Sequence, residues 1–338
     1  MGFVSNEYQV IVAGQDVTSR FDPHLLSIDI TRASGEAADE CSLSLSDQDG
    51  SIVLPKERAT VQVTINGADA FNGFVTDVSY SFGKGAGRTL EISCSSVDQG
   101  STVKEPKLKH KDDASLKDVA AEWGSKVGLV VTVAGSIAGV QRPYWLSQNE
   151  SFMSWGQRTA KEVGASFKIL GSKAFMVALN EGISSSGKPL TPIKAAYGDN
   201  LISGNISPII SRPKFKNVEV SYFDVKKGEK VKVDVPTGIN DVDSALRTVI
   251  TAANEDDAKK RGESASKNSD REKGSGSATI LGDVYAEPEA LCQISGIRPG
   301  IDGSYRISSV KHKLSKGSGF QTELDLKQPQ DGAGVDSR

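Results

Sequence analysis

The chain has 338 residues, 25% of them charged, and a formal net charge of −3. This composition is typical of a soluble protein and gives no overall basic field for nucleic acid. The apolar runs are shorter than the roughly 18 residues that span a membrane, and the N-terminus lacks the charge and apolar pattern of a Sec signal. We therefore expect a protein made and kept in the cytosol.

Residues 7 to 96 show the alternation of apolar and polar residues that is typical of β-strands. The segments "CSLSLSD", "ATVQVTING" and "RTLEISC" are examples, and turn pairs such as Asp49-Gly50 and Asn66-Gly67 separate the strands. Many short strands with closely spaced turns indicate a barrel or a sandwich. We predict a first β domain over residues 1–105.

Residues 106–200 change to a mixed α and β pattern. In "DASLKDVAAEWGSKVG" the apolar residues share one helical stripe, and Asp113 is the predicted N-cap. Ser147 and Glu150 have the spacing of a capping box, which predicts a second helix that ends at Gly164. Strands surround these helices, so we predict a small α+β insertion module.

The β pattern returns over residues 201–328, in segments such as "NVEVSYFDV". One helix is predicted at about 254–270, with Asn254 as its N-cap and acid–base pairs four residues apart. Its faces are almost entirely polar, which favours a solvated helix over one pressed on a polar surface. Residues 329–338 have too little apolar content to pack, and we predict a mobile tail.

The chain contains an internal repeat. Val78–Cys94, "VSYSFGKGAGRTLEISC", aligns without gaps with Val310–Leu326, "VKHKLSKGSGFQTELDL", and five of seventeen positions are identical, against about one expected from average usage. Apolar matches outside the glycines, such as Phe82 with Leu314, support the alignment. We infer two copies of one β domain, each with a strand, a Lys-Gly-x-Gly turn and a return strand. A phase shift predicts a β-bulge at Ser308-Ser309.

The glycines and histidines carry no recognisable chemistry. A phosphate cradle needs a glycine loop between a strand and a helix, whereas Gly83–Gly87 lies between two strands and is predicted as a hairpin turn. The histidines are isolated, with no second ligand at metal-binding spacing. They are His24, His110 and His312.

The cysteines are predicted to be buried thiols, because each falls in phase with apolar strand positions. They are Cys41, Cys94 and Cys292, and a disulfide or a reactive thiol is the alternative. Acid pairs such as Asp112-Asp113 and Asp256-Asp257 suit helix N-termini, and catalysis by paired acids is the alternative. We expect no catalytic residue, no cofactor-binding residue and no metal, and we favour a structural assembly protein over an enzyme.

Three segments carry a resemblance to a known family. They are "QNESFMSWGQRTAKEVGASFKI" (Gln148–Ile169), "FNGFVTDVSYSF" (Phe71–Phe82) and "ISGIRPGIDGSYRISSVKHKLSKGSGFQTELDL" (Ile294–Leu326). In their order along the chain, with Phe71–Phe82 first and Ile294–Leu326 last, they resemble the phage late control gene D proteins, which are hubs of contractile-tail baseplates. The resemblance spans about residues 5 to 328. The Phe-Met-Ser-Trp run departs from the family's more usual Leu-rich helix.

The resemblance implies a mainly β fold with two tail-tube-like β-barrel domains in tandem, joined by the α+β module. It also implies a homotrimer, whose six β domains form a pseudo-six-fold ring between the six-fold tail tube protein and the three-fold central spike protein. Baseplate wedge and tape-measure proteins are further implied partners, and DNA would pass through the channel without sequence-specific binding. The implied location is the virion tail baseplate, after assembly in the host bacterial cytoplasm.

Three alternatives stay open. A type VI secretion spike of the VgrG kind resembles this chain in its N-terminal part but continues into a spike region, whereas only a polar tail follows residue 328 here. A tail-tip peptidoglycan hydrolase would also belong to a phage tail. A monomeric ligand-binding β protein is the third alternative.

Overall fold

The computed structural model describes residues 7–85, 87–184, 189–210, 214–224, 226–240, 242–248 and 251–338. The predicted mainly β fold with a few helices is confirmed. The helices are α1 Thr18–Phe21, α2 Leu116–Ser125, α3 Phe152–Val163 and α4 Glu255–Arg271, with a 3-10 turn at Thr102–Lys104.

The strands of the described residues lie within the α+β module and on both sides of it along the chain. In chain order they are β1 Tyr8–Val12, β2 Gln15–Asp16, β3 Leu25–Ala33, β4 Glu40–Ser46, β5 Thr60–Ile65, β6 Ala68–Gly83, β7 Gly87–Ser95, β8 Lys107–Ser115, β9 Val130–Ala134, β10 Gln141–Glu150, β11 Ala165–Leu170, β12 Lys173–Ala178, β13 Ile193–Ala196, β14 Leu201–Ser207, β15 Asn217–Asp224, β16 Glu229–Pro236, β17 Ala245–Arg247, β18 Ser275–Leu281, β19 Leu291–Ser295, β20 Gly303–Ser315 and β21 Gly319–Gln330.

One large sheet of 13 strands runs through both β regions. Its order is β14-β18-β21-β20-β3-β4-β7-β6-β5-β1-β2, and β19 joins β20 and carries β13. The C-terminal strand β20 pairs antiparallel with the N-terminal strand β3. The domain boundaries predicted from the sequence, and the closure of each β region into a barrel, stay predictions.

The sheet has an apolar face that forms the core and a polar face. In β4, Cys41, Leu43 and Leu45 are at most 2% exposed, while the alternating serines face the other way. Each of these two leucines contributes roughly 1.5–3 kcal/mol when its side chain leaves water. The core of the N-terminal strands also contains Leu314 and Phe320 from the far end of the chain. The tertiary fold thus joins residues that are nearly 300 positions apart.

The module between the two β regions has its own core. Two smaller sheets, β10-β8 and β11-β12-β9, pack with α2 and α3 around three fully buried tryptophans. The rings of Trp123 and Trp155 have centroids 4.9 Å apart. Gly156 lets α3 approach β11 closely, because a Cβ there would lie 2.5 Å from the Phe167 ring. Aromatic packing therefore fixes the module.

Helix α2 begins two residues later than predicted. The hydroxyl oxygen of Ser115 accepts a hydrogen bond from the backbone N–H of Asp118, so Ser115 is the N-cap. The predicted cap, Asp113, lies within β8 instead. The strand pairing between β8 and β10 extends through this residue and overrides its local capping preference.

Helix α3 also begins later than its predicted capping box. Ser151 caps it by accepting from the backbone N–H of Ser154 at 3.1 Å. The predicted pair, Ser147 and Glu150, belongs to β10, so the capping-box prediction is wrong. Gly164 ends the helix in the left-handed conformation, as predicted.

Helix α4 lies where it was predicted, and Asn254 caps it. The expectation that it is solvated is wrong, because it packs on β15, β16 and α3. The buried face of α4 consists of small residues and paired charges in place of the usual large apolar side chains. A Cβ at Gly262 would meet Val235 at 2.4 Å, and Asp257, with a fully buried side chain, binds Arg142 at 2.8 Å and Arg261 at 2.9 Å.

The C-terminal residues pack more than their composition predicts. Strand β21 continues to Gln330, and Ala333 is buried in the core of the second β region. The backbone N–H of Gly334 donates to the carbonyl of Gly300, and Arg298 pairs with Asp336 at 2.8 Å. The expectation that this segment has too little apolar content to pack is therefore wrong for Ala333, while its mobility stays a prediction.

Candidate assembly interface

The predicted hairpins are confirmed and share one register. Strands β6 and β7 close with Gly83 opposite Gly87, and β20 and β21 close with Ser315 opposite Gly319. Each turn therefore has three residues. In the β6–β7 turn, the third of them, Ala86, lies outside the described residues. Positions aligned in the sequence repeat thus hold the same places in the two hairpins.

Both hairpins also carry the same β-bulge. The register shifts between Val75 and Asp77 in β6, and between Ile307 and Ser309 in β20, as predicted for the second copy. The inserted residues make matching hydrogen bonds. The hydroxyl of Thr76 donates to the carbonyl of Ser93 at 3.0 Å, and the hydroxyl of Ser308 donates to the carbonyl of Asp325 at 3.1 Å.

The duplication extends to strand order. The first copy has the order β3-β4-β7-β6-β5, and the second copy has the order β14-β18-β21-β20-β19. A second bulge repeats as well, between Leu25 and Ser27 in β3 and between Leu201 and Ser203 in β14. We use "first copy" and "second copy" for these two sets of five strands.

The repeat also reaches β3 and β14, where a weaker sequence signal did not lead to a prediction. The segment "LLSIDIT" in β3 corresponds to "LISGNIS" in β14, with identical residues at three of seven positions. The bulged residues Leu26 and Ile202 occupy the same place and are 45% and 46% exposed. Three identities in seven residues, with no aligned glycine, are too few to distinguish from chance in the sequence alone. The equivalent strand order identifies the match.

The two copies meet within the chain at the internal junction, where β20 pairs with β3. Residues Ser309–Ser315 lie opposite Ser27–Ala33 in seven register pairs. The junction buries His312 completely and leaves Leu314 only 6% exposed. Leu314 reaches the core of the first copy. The second copy therefore uses one strand edge to join the first.

The equivalent edges at the two ends are open. Residues Asp77–Gly83 of β6 correspond to the β20 side of the junction, and β14 corresponds to the β3 side. Among the described residues, no strand pairs with either of these edges. On β6, Tyr80 and Phe82 are 39% and 79% exposed, although their counterparts His312 and Leu314 are buried. The open part of β6 and the open edge of β14 are thus the two complementary halves of a junction that the sheet already contains.

The two ends of the strands differ in what they carry. Both hairpin turns, after Gly83 and after Ser315, lie at one end of the sheet, which we name the turn rim. The module contacts the opposite end, the module rim, where Lys168 pairs with Asp39 at 2.6 Å. The segment between β14 and β18, which contains β15–β17 and α4 and which we name the α4 insertion, also leaves the sheet at this end, after Ser207. The turn rim is repeated within the chain, and the module rim is not.

One buried carboxylate joins three parts of the chain. Glu289 accepts hydrogen bonds from Ser34 of the first copy at 2.7 Å, from the backbone N–H of Asn180 in the module at 3.1 Å, and from Arg271 of α4 at 3.0 Å. Burial by itself raises the pKa of Glu289, but the bonds and charge of Arg271 outweigh it, and the pKa lies below its usual range. The carboxylate stays ionised at neutral pH.

The cysteines are buried and free, as predicted. Cys41 and Cys94 face each other as register partners on β4 and β7. Burial raises the pKa of the thiols of Cys94 and Cys292 to about 12, and raises that of Cys41 well above its usual value. Buried thiols of this kind react slowly.

The absence of catalytic, cofactor-binding and metal-binding residues stays a prediction. No group of three His, Cys, Asp or Glu side chains could hold a metal within the described ranges. The described helices include none that is long and apolar enough to span a membrane. A cavity of about 570 Å³ beside the module contains Arg32, Asp39 and Lys168, but these charges pair with one another.

Two curated relatives match the sequence, and no family model does. The chain is 22% identical over 361 residues to the probable baseplate hub protein of Escherichia phage 186, covering 95% of this chain and 92% of that protein. It is 24% identical over 199 residues to the probable baseplate hub protein of Escherichia phage P2, covering 57% of this chain and 50% of that protein.

Solved structures share the fold. The 43 kDa tail protein of prophage MuSo2 from Shewanella oneidensis matches with a TM-score of 0.71 at 17% identity, over 95% of this chain and 98% of that one. An Escherichia coli component of the type VI secretion system matches with a TM-score of 0.59 at 7% identity, over 99% of this chain and 80% of that one. These likenesses show that the chain has the fold of a phage tail protein and of a type VI secretion component. With the sequence relatives, they confirm the predicted resemblance to baseplate hub proteins of the late control gene D type.

Proposed function

We propose that this baseplate hub protein forms a homotrimeric ring that joins a six-fold tail tube to a three-fold central spike. The duplication carries the proposal. Two copies with the same strand order, bulges and hairpin register give six similar β units in a trimer. A trimer of a duplicated chain is a direct way to match six-fold and three-fold symmetry.

The difference between the two rims supports a proposal for which end of the ring contacts the tube and which contacts the spike. The turn rim repeats within the chain, since Lys84-Gly85 and Lys316-Gly317 occupy the same place in their turns. Three chains would present it six times, which suits the six-fold tube protein. The module rim carries one module and one α4 insertion per chain, which suits the three-fold spike.

The remaining parts of the proposal concern location and chemistry. The relatives are named as baseplate hub proteins, which supports a location in the tail baseplate of a virion. We propose assembly in the host bacterial cytoplasm and contacts with wedge and tape-measure proteins. We also propose that the protein acts without catalysis, so purified protein should not clear a peptidoglycan suspension.

A type VI spike base of the VgrG kind is a second candidate. The fold likeness to the type VI secretion component favours it over a hydrolase or a monomeric ligand-binding protein. Both candidates predict the same ring, so they are distinguished by whether the spike is a separate protein. Co-purification with a separate spike protein encoded beside it would favour the phage hub, because a VgrG chain carries its own spike.

The ring is tested by mass and by imaging of the purified protein. We expect a mass of three chains across a dilution series, and particle images with three-fold symmetry and an open channel. A monomer at every concentration would contradict the proposal. So would a closed particle without a channel.

A further inference from the structure

We propose that the Asp77–Gly83 edge of β6 in one copy of this chain pairs with the β14 edge of a second copy, in the register of the internal junction. This inference rests on the proposed ring and identifies the surfaces that form it. The partner is a second copy because each open edge is the counterpart of one side of an existing β20–β3 pairing.

The register follows from the repeat. Within the chain, Lys313 lies opposite Asp29, and Leu314 lies opposite Ile28. Replacing each residue by its counterpart in the other copy gives the register between chains. The predicted pairs are Ser79 with Ser207, Tyr80 with Ile206, Ser81 with Asn205, Phe82 with Gly204, and Gly83 with Ser203.

The side chains fit this pairing. Phe82 would cover Gly204, which has no side chain of its own, and aromatic residues pack well across a strand from glycine. Tyr80 would lie against Ile206, which already packs on the core of the second copy. Phe82 is 79% exposed in the single chain. An edge strand that exposes such residues is an aggregation hazard unless it is paired.

The hydrogen-bonding groups also fit. Unpaired N–H and C=O groups along a strand edge favour the addition of another strand. A proline would interrupt the ladder of backbone hydrogen bonds between the two strands. Neither Asp77–Gly83 nor β14 contains one, and Pro208 comes only after the end of β14. The contact is head-to-tail, since β6 of one copy meets β14 of the next, and such contacts form rings when the rotation closes.

A pair of introduced cysteines tests the register. Ser81 and Asn205 lie on the polar face of the sheet, away from the buried native thiols. We expect the double variant Ser81→Cys, Asn205→Cys to form chain-to-chain disulfides under mild oxidation, up to a covalent trimer. The matched control, Ser81→Cys with Ser203→Cys, shifts one cysteine by two residues on the same face and should cross-link at least ten-fold more slowly.

A second variant tests the edge itself. Phe82→Asp should weaken association at least ten-fold without unfolding the chain, because Phe82 is exposed in the single chain. Phe223→Asp is the control, since Phe223 is 52% exposed on β15 and lies outside both edges. Circular dichroism of each variant checks that it is folded.

The outcomes separate this inference from the proposed function. A trimer that cross-links at 81 and 205 supports both. A trimer that fails to cross-link there, or that cross-links equally well in the shifted control, overturns the pairing and leaves the ring standing. A wild-type monomer at every concentration overturns both.

Discussion

His312 shows that equivalent positions of the repeat can have different environments. Its counterpart is Tyr80, which lies on an open edge, whereas His312 lies inside the internal junction and is 0% exposed. Its Nδ1 lies 3.1 Å from the hydroxyl of Thr322. Burial, with a smaller contribution from the positive charge of Arg32, lowers the pKa of His312 to about 3. The folded chain thus requires the neutral imidazole.

This requirement predicts a loss of stability in acid. The unfolded histidine has a pKa of about 6.5, so the unfolded state binds the extra proton between that pH and about 3. Stability is fully present above pH ~6.5 and falls as the pH drops. Denaturant unfolding of wild type should show this slope already between pH ~6.5 and ~4.5, above the range of ordinary carboxyl groups.

The variant His312→Leu should remove that slope, whatever its effect on stability at neutral pH. His110→Leu is the control, because His110 is exposed and stacks on Tyr144 at the surface. An unchanged slope in His312→Leu would show that another group controls the acid response.

At the scale of elements, the two hairpin turns share a backbone requirement. Gly87 and Gly319 occupy the same position and have φ of 77° and 68°. These values lie in the left-handed region, where a side chain is strained. Gly317 does not have a positive φ, and a Cβ there would meet nothing within 4 Å. The repeated glycines therefore differ in function within one turn.

This difference predicts opposite effects for two neighbouring substitutions. Gly319→Ala should lower the free energy of unfolding by about 1 kcal/mol, since alanine is strained at positive φ. Gly317→Ala should be neutral or slightly stabilising, because it reduces the freedom of the unfolded chain at no cost in space. Chemical denaturation of the two variants beside wild type measures both. Equal losses would mean that the turn is held in another conformation.

At the scale of the whole molecule, buried charges connect the two copies and the module. Glu289 binds groups from three segments, and Asp257 of α4 binds Arg142 of the module. A buried ion pair adds little net stability over apolar packing, but removal of one partner leaves an uncompensated charge. These networks therefore fix the arrangement of the parts more than they raise total stability.

Glu289→Gln should therefore cost about 3 kcal/mol or more, because Arg271 loses its counter-charge while it stays buried. The matched control is Glu287→Gln, two residues away and half-buried, which should change stability by less than about 0.5 kcal/mol. Hydrogen exchange should also show faster exchange in α4 of Glu289→Gln. Similar losses in both variants would argue against the role of Glu289 as a junction.

Much of the fold could be predicted from local sequence, because the patterns are local. Alternation predicted the strands, and the aligned Lys-Gly-x-Gly segments predicted two equivalent hairpins with one bulge. The helix starts at Asp113 and Ser147 were wrong because strand pairing with a distant segment overrode local capping signals. The polarity of α4 suggested solvent, but the helix packs its small residues on β15 and β16, and its buried Asp257 pairs with Arg142 from another part of the chain.

The sequence by itself determined that this chain contains a duplicated β unit, since identities and apolar matches persist at fixed spacing. It could not determine which edges of the two units meet, because backbone N–H and C=O groups are the same at every strand edge. Only the tertiary structure decided that β20 pairs with β3, and that Asp77–Gly83 and the outer edge of β14 have no strand partner within the described parts of the chain. Side-chain packing makes that choice, by burying Leu314 in the core of the first copy.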